Sequence, residues 1–320
     1  MINTVLAVLL MANGAMVNTC EAPRNIVVDT DWASDVDDVV AMRVITYAHT
    51  HNKINLLAVM QSTTVSGGPG SLLGFLRSDG VNVPVGTSTT INSATGHYQA
   101  NLNSLAISRL LITGSETYTD AVTLYRQQLA SSSVPVDIVT IGYLNNLYDL
   151  LRSSADDISP LTGLELATAK VRRLYVMGGA YPKGIEFNFS HNAVAIAASS
   201  YVTANWPTPI IFSGFEVGQT VTTGASMNGL QPTDLLAKAM ADVGTFNRPS
   251  WDPMNVLQAI VGEPTIAGYT EVYGSNSVNA STGANIFMPD TAGKDRYLVK
   301  SQANGVYQSV INFLILKSNW

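Results

Sequence analysis

Short apolar runs rich in β-branched residues alternate with segments of helical periodicity through most of the chain. This alternation is typical of a parallel or mostly parallel sheet that is covered by helices on both faces. The runs predict strands over residues 25–28, 54–60, 83–85, 136–140, 174–177 and 210–212. The periodic segments predict helices over residues 37–47, 71–78, 145–151, 193–204 and 252–260. We therefore expect an open α/β sheet.

The pattern weakens in three other segments. Gly, Ser and Thr cluster over residues 86–96 and 275–283, which predicts two long loops. Helical periodicity is absent from Tyr269 to about Val306, so we expect a C-terminal β-hairpin followed by a closing helix. Because no fixed-period repeat or linker is visible, residues 23–320 are predicted to form a single domain.

The first 22 residues have a different composition. An apolar stretch over residues 5–17 is too short to span a bilayer but has the length of a signal-peptide apolar region, although no Lys or Arg precedes it. We predict that residues 1–22 are a signal peptide and that the protein is secreted or held in the cell envelope. The alternative is a cytoplasmic protein in which this segment is a buried strand or helix. No other stretch predicts a membrane span.

Charge and cysteine content exclude several classes of partner and site. The net charge is −6, and the 17 Lys and Arg are scattered, so no basic stripe exists to bind a nucleic-acid polymer. A single cysteine, Cys20, excludes an intrachain disulfide and a Cys-rich metal site. A bound metal must therefore be held by oxygen atoms or by the four histidines.

An acidic cluster follows the first predicted strand and opens the first predicted helix. Its five aspartates are Asp29, Asp31, Asp35, Asp37 and Asp38. The carboxyl ends of parallel strands are where open α/β sheets bind ligands. Two carboxylates 4 Å apart repel by about 4 kcal/mol at an effective dielectric near 20, so a converging group needs a cation, protons or solvent. Oxygen ligands favour Ca²⁺ or Mg²⁺.

The cluster has two other interpretations. Asp35 and Asp37 can each cap a helix, which suits Asp35 but leaves the other carboxylates unexplained. A haloacid-dehalogenase-type phosphatase also has Asp-x-Asp after its first strand. That class needs a Thr or Val two residues after the second Asp. This sequence has Ala33 at that position, and Ser34 lies one place further on. The only later acidic pair, Asp156 and Asp157, is in a polar linker.

Five further segments carry glycine or polar residues at strand ends and helix starts: Ile138-Val-Thr-Ile-Gly-Tyr-Leu-Asn-Asn146, Val176-Met-Gly-Gly-Ala180, Glu186-Phe-Asn-Phe189, Ser213-Gly-Phe-Glu-Val-Gly218 and Ser250-Trp-Asp-Pro253. In this order after the acidic cluster, they resemble the Ca²⁺-dependent, inosine-uridine preferring nucleoside hydrolase family. The resemblance covers about residues 25–262. The turn between Asp31 and Asp37 is two residues longer than the family's signature.

The resemblance implies that the protein hydrolyses the N-glycosidic bond of ribonucleosides. It implies a Ca²⁺ ion bound by Asp31, Asp38, the carbonyl oxygen of Ile141 and Asp252. Because Ca²⁺ lowers the pKa of its bound water less than Zn²⁺ does, a carboxylate base beside the metal is still needed. We expect Asp31, at the metal edge of the first strand, to be that catalytic base.

The same resemblance implies a substrate site for a small-molecule nucleoside. Asp37 and Asn188 would bind the 2′- and 3′-hydroxyls, with Met177 and Glu186 beside the ribose, and Trp251 offers an indole face to the base. Other interpretations remain open for two of them. Asn188 also fits a turn residue or a glycan acceptor, and Met177 fits a core residue.

Three departures put the substrate in doubt. Residues 65–69 lack the family's sugar-contacting Asn. The segment before Glu186 lacks a second Asn of the family, so recognition of the 5′-hydroxyl falls to Glu186, with Tyr181 or Lys183 as substitutes for that Asn. Trp251 stands where some members carry a histidine that protonates the leaving base. The alternative function is therefore a weak or inactive homologue that binds Ca²⁺ and a nucleoside or sugar. Glu216 is interpreted as a hydrogen-bonding strut, and a homo-oligomer remains possible.

Overall fold

The computed structural model describes residues 23–93, 95–230 and 233–320, so the predicted signal peptide lies outside the described residues. Within them, no helix is both long and apolar enough to cross a membrane. The strands are β1 (Arg24–Thr30), β2 (Ile54–Thr63), β3 (Val85–Ile91), β4 (Thr119–Asp120), β5 (Val136–Thr140), β6 (Val171–Met177), β7 (Lys183–Gly184), β8 (Ile210–Ser213), β9 (Thr222–Thr223), β10 (Arg248–Pro249), β11 (Tyr269–Val278), β12 (Asn285–Pro289) and β13 (Asp295–Lys300).

Thirteen α-helices connect and cover these strands in the described part of the chain. They are α1 (Asp37–Thr50), α2 (Gly68–Ser78), α3 (Gln99–Ser108), α4 (Ala121–Ser131), α5 (Asn145–Arg152), α6 (Gly163–Lys170), α7 (Phe187–Ser190), α8 (Ala193–Asn205), α9 (Phe215–Gly218), α10 (Leu235–Asp242), α11 (Trp251–Val261), α12 (Pro264–Ala267) and α13 (Asn304–Ile315). Two 3₁₀ turns, Ala225–Met227 and Lys317–Asn319, complete the set.

Eleven of the strands form one sheet in the order β4-β3-β2-β1-β5-β6-β8-β13-β11-β12-β7. Neighbours from β4 to β13 run parallel, whereas β13, β11, β12 and β7 pair antiparallel. This confirms the predicted open, mostly parallel sheet. The C-terminal hairpin and closing helix are also present, and strand β13 joins the hairpin to the parallel part through β8.

Helices cover both faces of the parallel strands, because successive strand residues enter two different cores. In β1, Ile26 and Val28 pack into a core with α1, α2, α11 and α13, whereas Val27 packs into a second core with α4, α5 and α8. The same alternation holds in β5 and β6. Burial on both faces explains why these strands are continuous apolar runs.

Two predicted loops are partly strands. Strand β3 extends through residues 85–91, where a loop was expected from residue 86, and β11 extends to Val278. Both carry Gly, Ser and Thr because they have exposed positions, so an apolar run is not required. The sequence patterns also did not predict helices α3, α4, α6 and α10.

Candidate functional site

A cavity of about 360 Å³ opens at the carboxyl edge of the parallel strands. Loops after β1, β5 and β6 form its walls together with the start of α11. All nine residues that the sequence predicts for a site line this cavity: Asp31, Asp37, Asp38, Ile141, Met177, Glu186, Asn188, Trp251 and Asp252. Segments as far apart as residues 31 and 252 therefore meet at one place.

The cavity floor is a cluster of three buried carboxylates from Asp37, Asp38 and Asp252. One oxygen atom from each lies within 4.8 Å of those of the other two. Asp37 and Asp38 begin α1, and Asp252 lies in the first turn of α11, so the positive ends of two helix dipoles face the cluster. The backbone N–H of Asp252 donates to Oδ2 of Asp37 at 3.2 Å.

One oxygen atom of this cluster lacks any protein donor. The hydroxyl of Thr30 donates to Oδ1 of Asp38, whereas Oδ2 of Asp38 is buried and accepts no hydrogen bond from the described residues. A buried carboxylate oxygen without a donor costs free energy unless a cation or a proton compensates it. Three converging carboxylates with a free oxygen therefore fit a hard divalent cation such as Ca²⁺.

Burial raises the pKa of every carboxyl group in the cluster well above its usual range, and the neighbouring carboxylates raise it further. Burial also raises the pKa of Asp31 to about 7. A cation reverses this effect, because a nearby positive charge favours the ionised form. The charged cluster is thus suited to a bound cation rather than to an empty cavity.

Asp31 and the carbonyl of Ile141 are brought side by side by a close approach of two strand ends. The backbone N–H of Ile141 donates to the carbonyl of Asp29 at 2.8 Å. A Cβ atom at Gly142 would lie 2.4 Å from the backbone nitrogen of Asp31, so this position requires glycine. Asp29 faces away from the cavity and accepts hydrogen bonds from Tyr125 at 3.0 Å and Asn146 at 3.1 Å.

The longer turn after Asp31 is held by a buried tryptophan. Trp32 is fully buried, and its indole N–H donates to the Ser71 hydroxyl at 2.8 Å. The Tyr98 hydroxyl accepts from Ala33 N–H at 2.8 Å and donates to the Asp35 carbonyl at 2.9 Å. The two additional residues are therefore a packed part of the site.

The opposite wall of the cavity contains Glu186, Asn188 and Met177. Glu186 precedes α7 and accepts from the backbone N–H groups of Gly179 at 3.0 Å and Asn188 at 2.8 Å. Burial raises the pKa of Glu186 to about 7. The Asn188 amide donates to the carbonyl and to the sulfur of Met177, each at 3.2 Å. Buried Asn188 is therefore not an accessible glycan acceptor, and Met177 lines the cavity as well as the core.

Aromatic and charged side chains form the rim. The indole of Trp251 stacks against Phe215 with ring centroids 5.5 Å apart, and its N–H donates to the Phe215 carbonyl at 3.0 Å. The Arg248 guanidinium lies 5.5 Å from the Trp251 ring centroid and binds Asp35, with Nε 2.9 Å from Oδ1. The interpretation of Asp35 as the cap of α1 is wrong, because no side chain caps that helix. The Asp35 carboxylate accepts from the N–H of the adjacent Val36 at 2.6 Å and pairs with Arg248.

Seven cavity residues were not predicted from the sequence as site residues: Ser34, Asp35, Thr95, Ile185, Phe187, Phe215 and Arg248. Phe187 and Phe215 lie inside the motifs that were recognised, and their aromatic character beside Glu186 and Glu216 was the available signal. Arg248 precedes the Trp251 motif by three residues but had no recognisable partner in the sequence.

Several sequence candidates lie outside the cavity lining. The Tyr181 ring stacks on Tyr297 with centroids 5.0 Å apart, and Lys183 is exposed in β7; neither residue lines the cavity. Glu216 accepts from the Tyr181 N–H at 3.1 Å, as expected for a strut. No residue of the 65–69 segment lines the cavity. Asp156 pairs with Arg126, and neither Asp156 nor Asp157 lines the cavity, so this acidic pair does not complete a phosphatase site there.

None of the four histidines, all of them described, lines the cavity. The His191 ring stacks on Tyr143 at 5.1 Å and lies 4.7 Å from the ring of Phe187, which lines the cavity. Burial lowers the pKa of His191.

No protein-family model and no curated protein sequence matches the chain. Solved structures match over nearly its whole length. An inosine-guanosine nucleoside hydrolase aligns with a TM-score of 0.66 and 16% identity, covering 91% of this chain and 98% of that one. The inosine-uridine preferring nucleoside hydrolase from Bacillus anthracis aligns with a TM-score of 0.67 and 14% identity, covering 91% and 99%.

A third similar structure is the type III effector protein XopQ complexed with adenosine diphosphate ribose. It aligns with a TM-score of 0.67 and 15% identity, covering 98% of this chain and 97% of that one. At these identities the likeness concerns the fold. The chain has the nucleoside hydrolase fold, which hydrolases and effector proteins share.

Proposed function

We propose that this protein hydrolyses the N-glycosidic bond of ribonucleosides and releases base and ribose, with Ca²⁺ as its cofactor. One observation carries the proposal: three buried carboxylates, with Oδ2 of Asp38 free of any described protein donor, face Glu186 and Asn188 across one cavity. Such a cavity can hold a cation and a polyhydroxylated sugar together.

The residues that would hold Ca²⁺ are Asp38, Asp252, Asp31 and the carbonyl oxygen of Ile141. When bound, Ca²⁺ supplies a positive charge that offsets the repulsion among the carboxylates and makes a nearby water more acidic. Asp37 lies within reach of the same ion as well as of a sugar hydroxyl, because its carboxylate belongs to the compact cluster.

Asp31 acts as general base in this mechanism. Its carboxylate takes a proton from the attacking water, whose oxygen forms a bond to the anomeric carbon of the ribose. The N-glycosidic bond breaks, and its electron pair leaves with the purine or pyrimidine, which then takes a proton from solvent. Positive charge develops on the sugar ring, and the surrounding carboxylates stabilise it more in the transition state than in the ground state.

The remaining side chains orient the nucleoside. Asp37 and Asn188 bind the 2′- and 3′-hydroxyls, and Glu186 binds the sugar at the opposite wall. The hydrogen bonds from the Asn188 amide to Met177 hold the side chain at a fixed angle, which lowers the entropy lost on binding. Trp251 and Phe215 offer apolar ring faces at the rim, where the base would lie.

A second candidate function is binding of a nucleoside or related ligand without turnover. The cavity lining contains no histidine, so no imidazole is present in this set of residues to protonate the leaving purine or pyrimidine. A neighbour with the same fold is described in complex with adenosine diphosphate ribose. Turnover measurements separate the two functions directly.

The decisive experiment measures release of reducing sugar from inosine, guanosine, adenosine, uridine and cytidine in millimolar Ca²⁺. We expect turnover by the parent protein and a loss of about 10²–10⁴-fold in the Asp31→Asn variant. Asp157→Asn, an isosteric change at an exposed site, is the matched control and should retain full activity.

The Ca²⁺-induced rise in Tm is measured for both variants. This rise distinguishes loss of the general base Asp31 from loss of the bound metal. A parent protein that binds inosine but releases no sugar supports the second candidate function and refutes hydrolysis. A parent protein that neither binds nor hydrolyses any of the five nucleosides refutes both.

A further inference from the structure

The C-terminal hairpin of β11 and β12 contacts the loop over residues 180–184. This loop leads to the substrate wall, which is the cavity wall that contains Glu186 and Asn188. Asn285, the first residue of β12, is 1% exposed. Its Oδ1 accepts from the backbone N–H of Ala180 at 2.8 Å, and its Nδ2 donates to the carbonyl of the same residue at 3.0 Å. Two reciprocal bonds from one side-chain amide fix both the position and the orientation of Ala180.

The hairpin also holds the residues that follow Ala180. Strand β12 pairs with β7, with Asn285 opposite Gly184. The backbone N–H of Phe287 donates to the carbonyl of Pro182 at 2.8 Å. The amide of Asn276 in β11 donates to the Tyr181 hydroxyl at 3.2 Å. The segment from Ala180 to Gly184 is therefore bonded to the hairpin along most of its length.

Both ends of the substrate wall are connected to this arrangement. Before the loop, the N–H of Gly179 donates to the Glu186 carboxylate at 3.0 Å. After it, the hairpin turn packs on α7, where a Cβ atom at Gly283 would lie 2.5 Å from the carbonyl oxygen of Phe189. Gly283 also has a φ of +73°, so the turn requires glycine for two reasons. The segment from Glu186 to Phe189 is thus held from both sides.

We propose that Asn285 is a positioning residue for ribose binding and that the C-terminal hairpin is part of the substrate site. The inference rests on the proposed function. Asn285 does not line the cavity, so its effect passes through Ala180 and Gly179 to Glu186. A loop that must be ordered when the substrate binds lowers affinity, whereas a loop already ordered by the hairpin does not. The acidic cluster is built from other segments and should be unaffected.

The test compares Asn285→Ala and Asn285→Asp with the parent protein, using inosine as the probe in millimolar Ca²⁺. Asn285→Asp keeps the side-chain volume and the acceptor for Ala180 N–H, but it replaces the donor by a buried carboxylate oxygen that repels the Ala180 carbonyl. Ser275→Ala, exposed on the same hairpin, is the matched control. We expect KM for inosine to rise about tenfold in Asn285→Ala and at least as much in Asn285→Asp, with kcat changed less than about threefold. The Ca²⁺-induced shift in Tm should be that of the parent.

Two results would overturn the inference. One is a parental KM in folded Asn285 variants, and the other is a loss confined to kcat. If Asn285→Ala does not fold, the aspartate variant decides the question. A parent protein that neither binds nor hydrolyses inosine or any other nucleoside refutes the proposed function and this inference with it. An active parent with unchanged Asn285 variants refutes the inference alone.

Discussion

Replacing Asp38 by Asn should change stability in opposite directions without and with calcium. The substitution keeps the side-chain volume and the acceptor for the Thr30 hydroxyl, but it removes one negative charge from the buried cluster. Without a metal that charge is repelled by Asp37 and Asp252. With Ca²⁺ bound, the same charge is a ligand. The sign of the effect therefore reports on the role of the cluster.

The geometry sets the magnitude. Carboxylate oxygens that lie within 4.8 Å of each other repel by at least about 3.5 kcal/mol per pair at an effective dielectric near 20. Raised pKa values mean that protons already relieve much of this repulsion at neutral pH. We therefore expect Asp38→Asn to stabilise the chelated protein by about 1 kcal/mol, which is about 1–2 °C in Tm for a chain of 320 residues.

In calcium the order reverses. A ligand at 100 times its Kd stabilises the native state by about 2.7 kcal/mol, so the parent should gain about 4–5 °C in Tm. The Asp38→Asn variant should gain little. Differential scanning calorimetry in chelator and in millimolar Ca²⁺ measures both effects, and Asp157→Asn should behave as the parent does. Equal calcium shifts in the parent and in Asp38→Asn, or a variant several degrees less stable in chelator, would refute the reasoning.

Three further predictions concern pH, a buried ion pair and base preference. In chelator, the free energy of unfolding should fall as pH rises from about 5 to about 8. Burial raises the pKa of Asp29 to about 8 and of Glu186 to about 7, so the folded state binds more protons than the unfolded chain in that window. Urea titrations at several pH values check this, and a free energy of unfolding that rises with pH would contradict it. Arg43→Ala should lower the free energy of unfolding by about 3–5 kcal/mol, because the fully buried carboxylate of Asp79 lies 2.8 Å from Nε of Arg43 and would lose this partner. A loss below about 1 kcal/mol in the same titrations would show that the pair contributes little. Trp251→Ala should lower turnover of inosine more than that of uridine, because stacking on a base contributes about 1–3 kcal/mol and the larger purine gains more; a parent that prefers uridine would defeat this role.

Much of the fold could be predicted because the parallel strands are buried on both faces. Burial on both faces makes each strand a short apolar run, and helices lie between many of these runs along the chain. The same logic fails for β3 and β11, whose exposed positions carry Ser, Thr and Gly. A strand that is only partly buried leaves a weaker pattern, and a cluster of such residues then resembles a loop.

The site also contains residues that could be predicted from the sequence and residues that could not. Residues that directly follow strands, such as Asp31 and Ile141, could be predicted to meet because parallel strands end at one edge. The ion pair between Asp35 and Arg248 could not, since it joins residues 213 positions apart and neither lies in a repeating pattern. The bonds from Asn285 to Ala180 connect residues 105 positions apart and were equally invisible.

The pairing of β7 with β12 also sets the order in which the cavity can be assembled. Synthesis proceeds from the N-terminus, and most of the acidic cluster, including Asp37 and Asp38, emerges long before Asn285. The wall that contains Glu186 and Asn188 lacks its support until the hairpin has been made. A nascent chain released before residue 285 would keep the residues of the cation site but would present an unanchored substrate loop, and loop closure over such a separation is slow relative to local contacts.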